Sequence, residues 1–287
     1  MHPEPDDPQV SVRMRTAHHR ARTALDARPH PGGHEAWGWH GRTLGRPVTA
    51  HDGPAWLRLA AAPLDQADST FWNGSRDAKD TIPNRVPRPC LRTIHDWNEP
   101  PWRYRAELYD HVDEHPVTAS PILTTDPNPP TSWWTSLRSA LGTVATTPTA
   151  RHTTDQQYLD WAMPKFLSPA VDTRAPSWNT AHGDMHWANL CAPQLTMFDW
   201  EGWGLAPTGY DAATLHSYSL LVPDAASRIR REFADVLNTP AGRFAELAVI
   251  TELLESTTHG DNLPLAEPLR QRAAHLLRDD AAGEIAP

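Results

Sequence analysis

His182-Gly183-Asp184-Met185-His186-Trp187-Ala188-Asn189-Leu190, followed by Phe198-Asp199-Trp200-Glu201, is the stretch on which the reading of this chain turns. Asp184 and Asn189 stand in the D-x-x-x-x-N spacing of a phosphoryl-transfer catalytic loop, and a second carboxylate, Asp199, follows a short apolar stretch. Moving a γ-phosphoryl group calls for few parts: a carboxylate that orients and deprotonates the acceptor hydroxyl, and oxygen ligands that hold Mg²⁺ on the phosphates. A carboxylate, an amide oxygen and a second carboxylate suit a hard cation. Residues 190–191 and 195–198 read as two short strands around Ala192-Pro193-Gln194, a hairpin expected to return Asp199 beside Asn189. The spacing D-x-x-x-x-N alone arises by chance in most chains of this length. Its combination with His182, His186 and a trailing Asp-Trp-Glu does not. A rival chemistry is a metal hydrolase with His182, Asp184, His186 and Asp199 as zinc ligands, which leaves Asn189 and Trp200-Glu201 without a role.

The compound pattern resembles the signature of the aminoglycoside phosphotransferase and choline kinase-like family, HGDxHxxN followed by DWE. The resemblance is specific over about residues 180–215. It implies a protein-kinase-like α+β fold, bilobal, with a small, mainly antiparallel sheet lobe and a larger helical lobe. It also implies Mg²⁺ and ATP or GTP as co-substrate. Asp184 is then the base, Asn189 and Asp199 the metal ligands, and His182 an orienting residue. His186 is expected to be a packed loop histidine. Asp211, in Pro207-Thr208-Gly209-Tyr210-Asp211, is expected to cap the following helix and brace the loop.

Composition narrows the alternatives. The net charge of −9 over 287 residues argues against a nucleic-acid binder, which needs a basic stripe. Cys90 and Cys191 are too few for a disulfide framework or a cysteine zinc site. No apolar run approaches the roughly 18 residues of a membrane helix, and the first residues lack a signal-peptide core. A cytoplasmic protein without membrane or nucleic-acid partners is expected. The basic residues are almost all arginine, with Lys79 and Lys165 the only lysines. Tryptophan is frequent, 13 in all, and packing accounts for Trp187, Trp200 and Trp203 better than an acceptor pocket does.

Three regions are expected: a tail or added helix over 1–33, an amino-terminal nucleotide-binding sheet over 34–115, and a helical lobe with catalytic loop and acceptor site over 116–287. A short helix over 12–27 ends at Pro29 and Pro31-Gly32-Gly33, and His2, His18, His19 and His30 are expected in a solvated arm. Strands are predicted over 35–40, 47–51 and 55–60, with turns at Gly41–Gly45 and Asp52-Gly53-Pro54; Gly38, Gly41 and Gly45 fall in G-x-x-G-x-x-x-G order. Kinases place a phosphate-holding lysine on the third strand; this chain offers Arg58, a bulkier planar fork. They hold that cation with a helix glutamate, but no Glu occurs from 36 to 98. On the helix expected over 69–81, Asp68, Asp77 and Asp80 are the acids at hand, and Asp77 is the expected partner of Arg58. Two further strands are predicted over 90–95 and 103–111.

Beyond Pro116 the pattern turns helical. Thr131-Ser132 is expected to cap a helix with Trp134, Leu137, Leu141 and Val144 on one face. Further helices are predicted over 155–167, 224–237, 240–258 and 265–278, with Thr239-Pro240 as a helix start and Gly260 as a stop. The activity implied by the resemblance is transfer of a phosphoryl group to a hydroxyl of a small molecule, an antibiotic or secondary metabolite. Two alternatives stay open: a Ser/Thr kinase of a natural-product precursor peptide, and a pseudokinase acting as a binding partner.

Overall fold

The computed structural model describes residues 3–31, 33–66 and 70–283. Two compact units divide the chain: residues 1–80, 87–115 and 196–201 form one, and residues 81–86, 116–195 and 202–287 the other. Mixed helix and antiparallel sheet agrees with the α+β expectation. No described helix is long and apolar enough to cross a membrane.

The first unit is built on an antiparallel sheet. Its strands are β1 (Arg28–Pro29), β2 (Ala36–Trp37), β3 (Thr43–Ala50), β4 (Gly53–Pro63), β5 (Leu91–Glu99) and β6 (Trp102–Asp110). The order is β1-β3-β4-β6-β5, with β2 also paired to β3. On β4 every second side chain, Ala55, Leu57, Leu59 and Ala61, is buried. Arg58 therefore points to the opposite face, as period-2 alternation requires.

Helix α1 (Pro8–Ala24) covers the buried face. It begins four residues before the expected Val12, because Asp7 accepts from Gln9 N at 2.8 Å as N-cap and Pro8 supplies the first helical position. Met14, Ala17 and Ala21 join Val48, Leu57, Leu59 and Tyr104 in one core. His18 is correspondingly not in a solvated arm. It is buried, its Nε2–H donates to the Leu57 carbonyl at 3.2 Å, and burial pulls its pKa down to about 4. Helix α2 (Thr70–Thr81) follows β4; Asp68 lies outside the described residues.

The second unit is mainly helical: α3 (Thr131–Ala145), α4 (Gln156–Phe166), α5 (Tyr210–Tyr218), α6 (Pro223–Glu232), α7 (Ala234–Leu237), α8 (Pro240–Thr257) and α9 (Ala266–Gly283). Two short strands, β7 (Trp178–Ala181) and β8 (Gly204–Pro207), pair antiparallel. Helix α8 carries buried side chains all round, including Phe244, Leu247, Ile250, Leu253 and Leu254. That makes it the central helix, against which α4, α5, α7 and α9 pack. Thr239 caps it by accepting from Gly242 N at 3.0 Å, and Gly260 at φ +93° follows its end.

Three expectations fail locally. The α3 cap falls at Pro130 and not at Thr131-Ser132. The helix predicted over 224–237 breaks into α6 and α7 at Phe233, whose φ −114°, ψ 28° is not helical. Residues 190–191 and 195–198 carry only isolated bridge residues, not strands, and a 3-10 turn, Trp187–Asn189, precedes them.

Candidate active site

Strand β7 delivers the loop His182-Gly183-Asp184 within the helical unit. Gly183 sits at φ +88°, and a Cβ there would stand 2.7 Å from the Gly202 carbonyl and 2.8 Å from the Thr153 hydroxyl. Only glycine fits that turn. Asp211, at the start of α5, braces the loop from beneath. Its Oδ2 accepts from His182 N at 2.8 Å and its Oδ1 from Gly183 N at 3.0 Å. Burial pushes the Asp211 carboxyl up to about 6 despite those two donors. The N-cap of α5 is Gly209, so Asp211 braces without capping.

Asp184 N donates to His182 Nδ1 at 3.3 Å. The Asp184 side chain is about half exposed at 46 %. Its surroundings by themselves would raise the carboxyl, but His186, His182 and Asn189 outweigh that and hold it at about 2. Asn189 closes the loop: its Nδ2 donates to the Asp184 carbonyl at 2.9 Å and to Asp184 Oδ2 at 3.0 Å. His186 Nε2 stands 3.3 Å from both Asp184 Oδ2 and Asn189 Nδ2. The hydrogen bonds of the Asn189 side chain thus run through its nitrogen.

Between Asp184 and Asn189, Trp187 anchors the loop in the interior. Its ring stacks on Trp133 at 5.7 Å and 11°, and its Nε1 donates to Ser219 Oγ at 2.7 Å. Trp133 Nε1 in turn donates to the Cys191 carbonyl at 2.7 Å. These tryptophans are packing residues, as are Trp200 and Trp203.

Tyrosines and acids gather beside Asp184. His186 meets Tyr218 edge to face at 5.4 Å, and Tyr210 OH donates to Glu252 on α8. Burial pushes the Glu252 carboxyl up to about 7, although the Tyr210 hydroxyl that donates to it favours its charged form. Nothing in the linear pattern marks Glu252; it lies 68 positions past Asp184 on a helix that reads as core.

In the sheet unit, Arg58 is 16 % exposed and surrounded by acids. Nη1 donates to Glu107 Oε2 at 3.0 Å, Nη2 donates to Glu201, and Asp199 Oδ1 lies 3.8 Å away. Asp77, the expected partner, sits half-buried on α2 and is not among them. The reason is register: Glu107 stands directly across from Arg58 on β6. Tyr109 OH also donates to Glu107 Oε2 at 3.0 Å. Asp199 holds φ +57°, a left-handed conformation uncommon outside glycine. The Glu201 main chain is packed against α2 so closely that a Cβ on Gly74 would collide with its carbonyl. A cavity of about 790 Å³ opens beside these residues, lined in part by Arg58, Ala60, Ser75, Arg105, Glu107 and Glu201.

No protein-family model and no curated protein matches the chain. Its structure does match solved ones. Aminoglycoside phosphotransferase APH(4)-Ia aligns with TM-score 0.62 at 12 % identity, covering 92 % of this chain and 98 % of that one. A thermostable mutant of it, in ternary complex with ADP and hygromycin B, aligns at 0.61 and 11 % identity with the same coverage. Spectinomycin phosphotransferase APH(9)-Ia, in complex with ADP and spectinomycin, aligns at 0.54 and 11 % identity over 91 % of this chain and 98 % of that one. The chain therefore has the protein-kinase-like fold of aminoglycoside phosphotransferases.

Proposed function

We propose that the chain is a Mg²⁺- and nucleotide-dependent O-phosphotransferase that moves the γ-phosphoryl group of ATP or GTP to a hydroxyl of a small molecule, an antibiotic or secondary metabolite. The observation that carries this reading is the Asp184–Asn189 pair. Asn189 is held by its nitrogen, so that a neutral oxygen ligand is presented next to an ionised carboxylate. That donor set fits a hard cation. In this reading Asn189 and Asp199 are the metal ligands, and the bound ion would neutralise charge on the transferring phosphoryl group. Asp184 orients the acceptor hydroxyl and accepts its proton. Its low pKa keeps it ionised at neutral pH, so positioning outweighs basicity in its contribution. Arg58 holds the phosphates, with Glu107 and Glu201 fixing the guanidinium in the role first given to Asp77. Nucleotide and hydroxyl-bearing antibiotic in the structural neighbours support the same pair of ligands here.

The test is phosphoryl transfer from ATP and GTP against a panel of hydroxyl-bearing antibiotics, with Asp184→Asn as control. Transfer by the wild type and its loss in the variant support the reading. Nucleotide binding without transfer to any acceptor in the panel, and with no hydrolysis, would favour the pseudokinase alternative. The carboxylates crowding Arg58 give that alternative its one specific support.

A further inference from the structure

The walls of the 790 Å³ cavity in the sheet unit carry the guanidiniums of Arg13, Arg42, Arg58 and Arg105. Two of these are engaged by carboxylates. Arg58 meets Glu107, Glu201 and Asp199, and Arg105 holds Asp96 through Nε at 2.7 Å and Nη2 at 2.8 Å. Arg13, on α1, is different. It is half-buried, and its guanidinium lies 3.8 Å over the Trp102 ring. Nη1 donates to the Tyr104 hydroxyl at 3.4 Å and to Met14 Sδ at 3.8 Å, both neutral acceptors at long range. Nε and Nη2 donate to no described residue. Stacking on an indole fixes the plane of a guanidinium and leaves in-plane donors of its fork available. That is the geometry in which arginine takes a phosphate through two parallel hydrogen bonds.

The 3-10 turn Trp39–Gly41 brings a second guanidinium to the same place. Gly41, at φ +70°, packs so closely on the start of α1 that a Cβ would stand 2.4 Å from Pro5 Cγ and 3.0 Å from Val10 Cγ1. Val10 lies about one helical turn before Arg13 and lines the cavity with it. Arg42 follows Gly41 directly, and its side chain donates to no described residue. Apart from Arg105 and the cluster around Arg58, the described lining carries the two positive charges of Arg13 and Arg42 against the single negative charge of Asp65.

We propose that the junction of α1 with this turn is a phosphate-binding site, in which Arg13 supplies the fork and Arg42 a second positive charge. Its ligand is a phosphate group, carried by the phosphate chain of a nucleotide or by a separate phosphorylated small molecule. An anion here meets guanidiniums that no described carboxylate has claimed, whereas at Arg58 it meets three acids. The site uses no residue of the loop from His182 to Asn189, and it stands whether or not the chain transfers phosphoryl groups. Helix α1 thereby does more than cover the core of the sheet.

The test is calorimetric titration of the full chain with inorganic phosphate and, separately, with AMP-PNP. Arg13→Gln removes a charge-assisted hydrogen-bond donor and should weaken phosphate binding on the order of tenfold. Arg42→Gln should weaken it less, because Arg42 is exposed and its charge is screened by water. Arg13→Lys keeps the charge without the planar fork and should fall between the wild type and Arg13→Gln. Arg28→Gln, which removes an exposed charge from β1, should leave the affinity unchanged and so exclude an effect of net charge. Each variant shares the wild-type fold if its far-ultraviolet circular dichroism coincides with it. Phosphate that displaces AMP-PNP, with both affinities reduced in Arg13→Gln, supports the site and identifies the nucleotide as the source of its phosphate. Phosphate binding that is reduced in Arg13→Gln, while AMP-PNP binds independently of it or does not bind, supports the site for a separate phosphorylated molecule. The second of those cases, no AMP-PNP binding, counts against the nucleotide reading alone. No binding of inorganic phosphate by the wild type, or an unchanged affinity in folded Arg13→Gln or Arg13→Lys, overturns the site.

Discussion

Replacing Glu246 by glutamine should destabilise the helical unit by about 3 kcal/mol at neutral pH. Glu246, on α8, is fully buried. Arg230 of α6 reaches its Oε1 at 2.8 Å, Arg272 of α9 its Oε2 at 2.5 Å, and His216 Nδ1 of α5 lies 3.0 Å from Oε1. One carboxylate thus ties three helices to the central one. Breaking a buried pair by removing one partner costs about 3–5 kcal/mol. The lower end applies because the arginines are 29 % and 15 % exposed and regain some water. At about 2–4 °C per kcal/mol, the melting temperature of this unit should fall roughly 6–12 °C. The pH dependence sharpens the test. Burial would raise the Glu246 carboxyl, but His216, Arg272 and Arg230 outweigh it and hold it at about 2, below the ordinary 4.5. A depressed carboxyl stabilises the fold above its unfolded pKa and loses that contribution as pH falls through the folded one. Urea unfolding should therefore show a constant gap between wild type and variant at neutral pH, closing from about pH 4.5 down toward 2. A loss under about 1 kcal/mol at neutral pH, or a gap that persists in acid, would refute the assignment of this network as the main clasp.

Asp184→Asn should bind Mg-nucleotide as the wild type does and turn over roughly 10²–10⁴-fold more slowly; steady-state kinetics with unchanged turnover would move the base elsewhere. Gly183→Ala should cost about 1–3 kcal/mol or more, since alanine is strained at φ +88° and its methyl meets the Gly202 carbonyl; thermal melts equal to the wild type would contradict the crowding. Glu252 has a folded pKa raised to about 7, so the wild type should lose stability as pH rises from about 4.5 through 7. In Glu252→Gln that loss should be smaller, and parallel melting-temperature profiles from pH 5 to pH 8 would show that Glu252 titrates normally.

Different parts of the molecule were legible for different reasons. The loop from His182 to Asn189 is short-range chemistry, and the hydrogen bonds between Asp184 and Asn189 span only five residues. The ends of α8 were legible because Thr239-Pro240 and Gly260 each act locally. Helix α5 was expected only through the family resemblance at Asp211, since all nine of its residues are buried and no apolar–polar period survives. The partners of Arg58 were misread for a related reason. Glu107 is 49 positions away and meets Arg58 only through strand register, which one strand does not encode. Glu201 stood inside the quoted motif, but its distance from Arg58 is a tertiary fact. The packing of α1 was hidden by its polar composition; Met14, Ala17 and Ala21 make a narrow stripe among arginines and histidines.

The division of the chain sets an order of assembly. The sheet unit takes its last piece, residues 196–201, from far downstream of residue 115, where its sheet is complete. At about 5–20 residues per second, the ribosome supplies that piece roughly 4–17 s after the sheet strands. During that interval Arg58 has Glu107 as its only carboxylate among the three, because Asp199 and Glu201 do not yet exist. A fragment ending at residue 115 would retain every strand of the sheet and the whole of α1, yet would present the Arg58 edge that Glu201 covers in the finished protein.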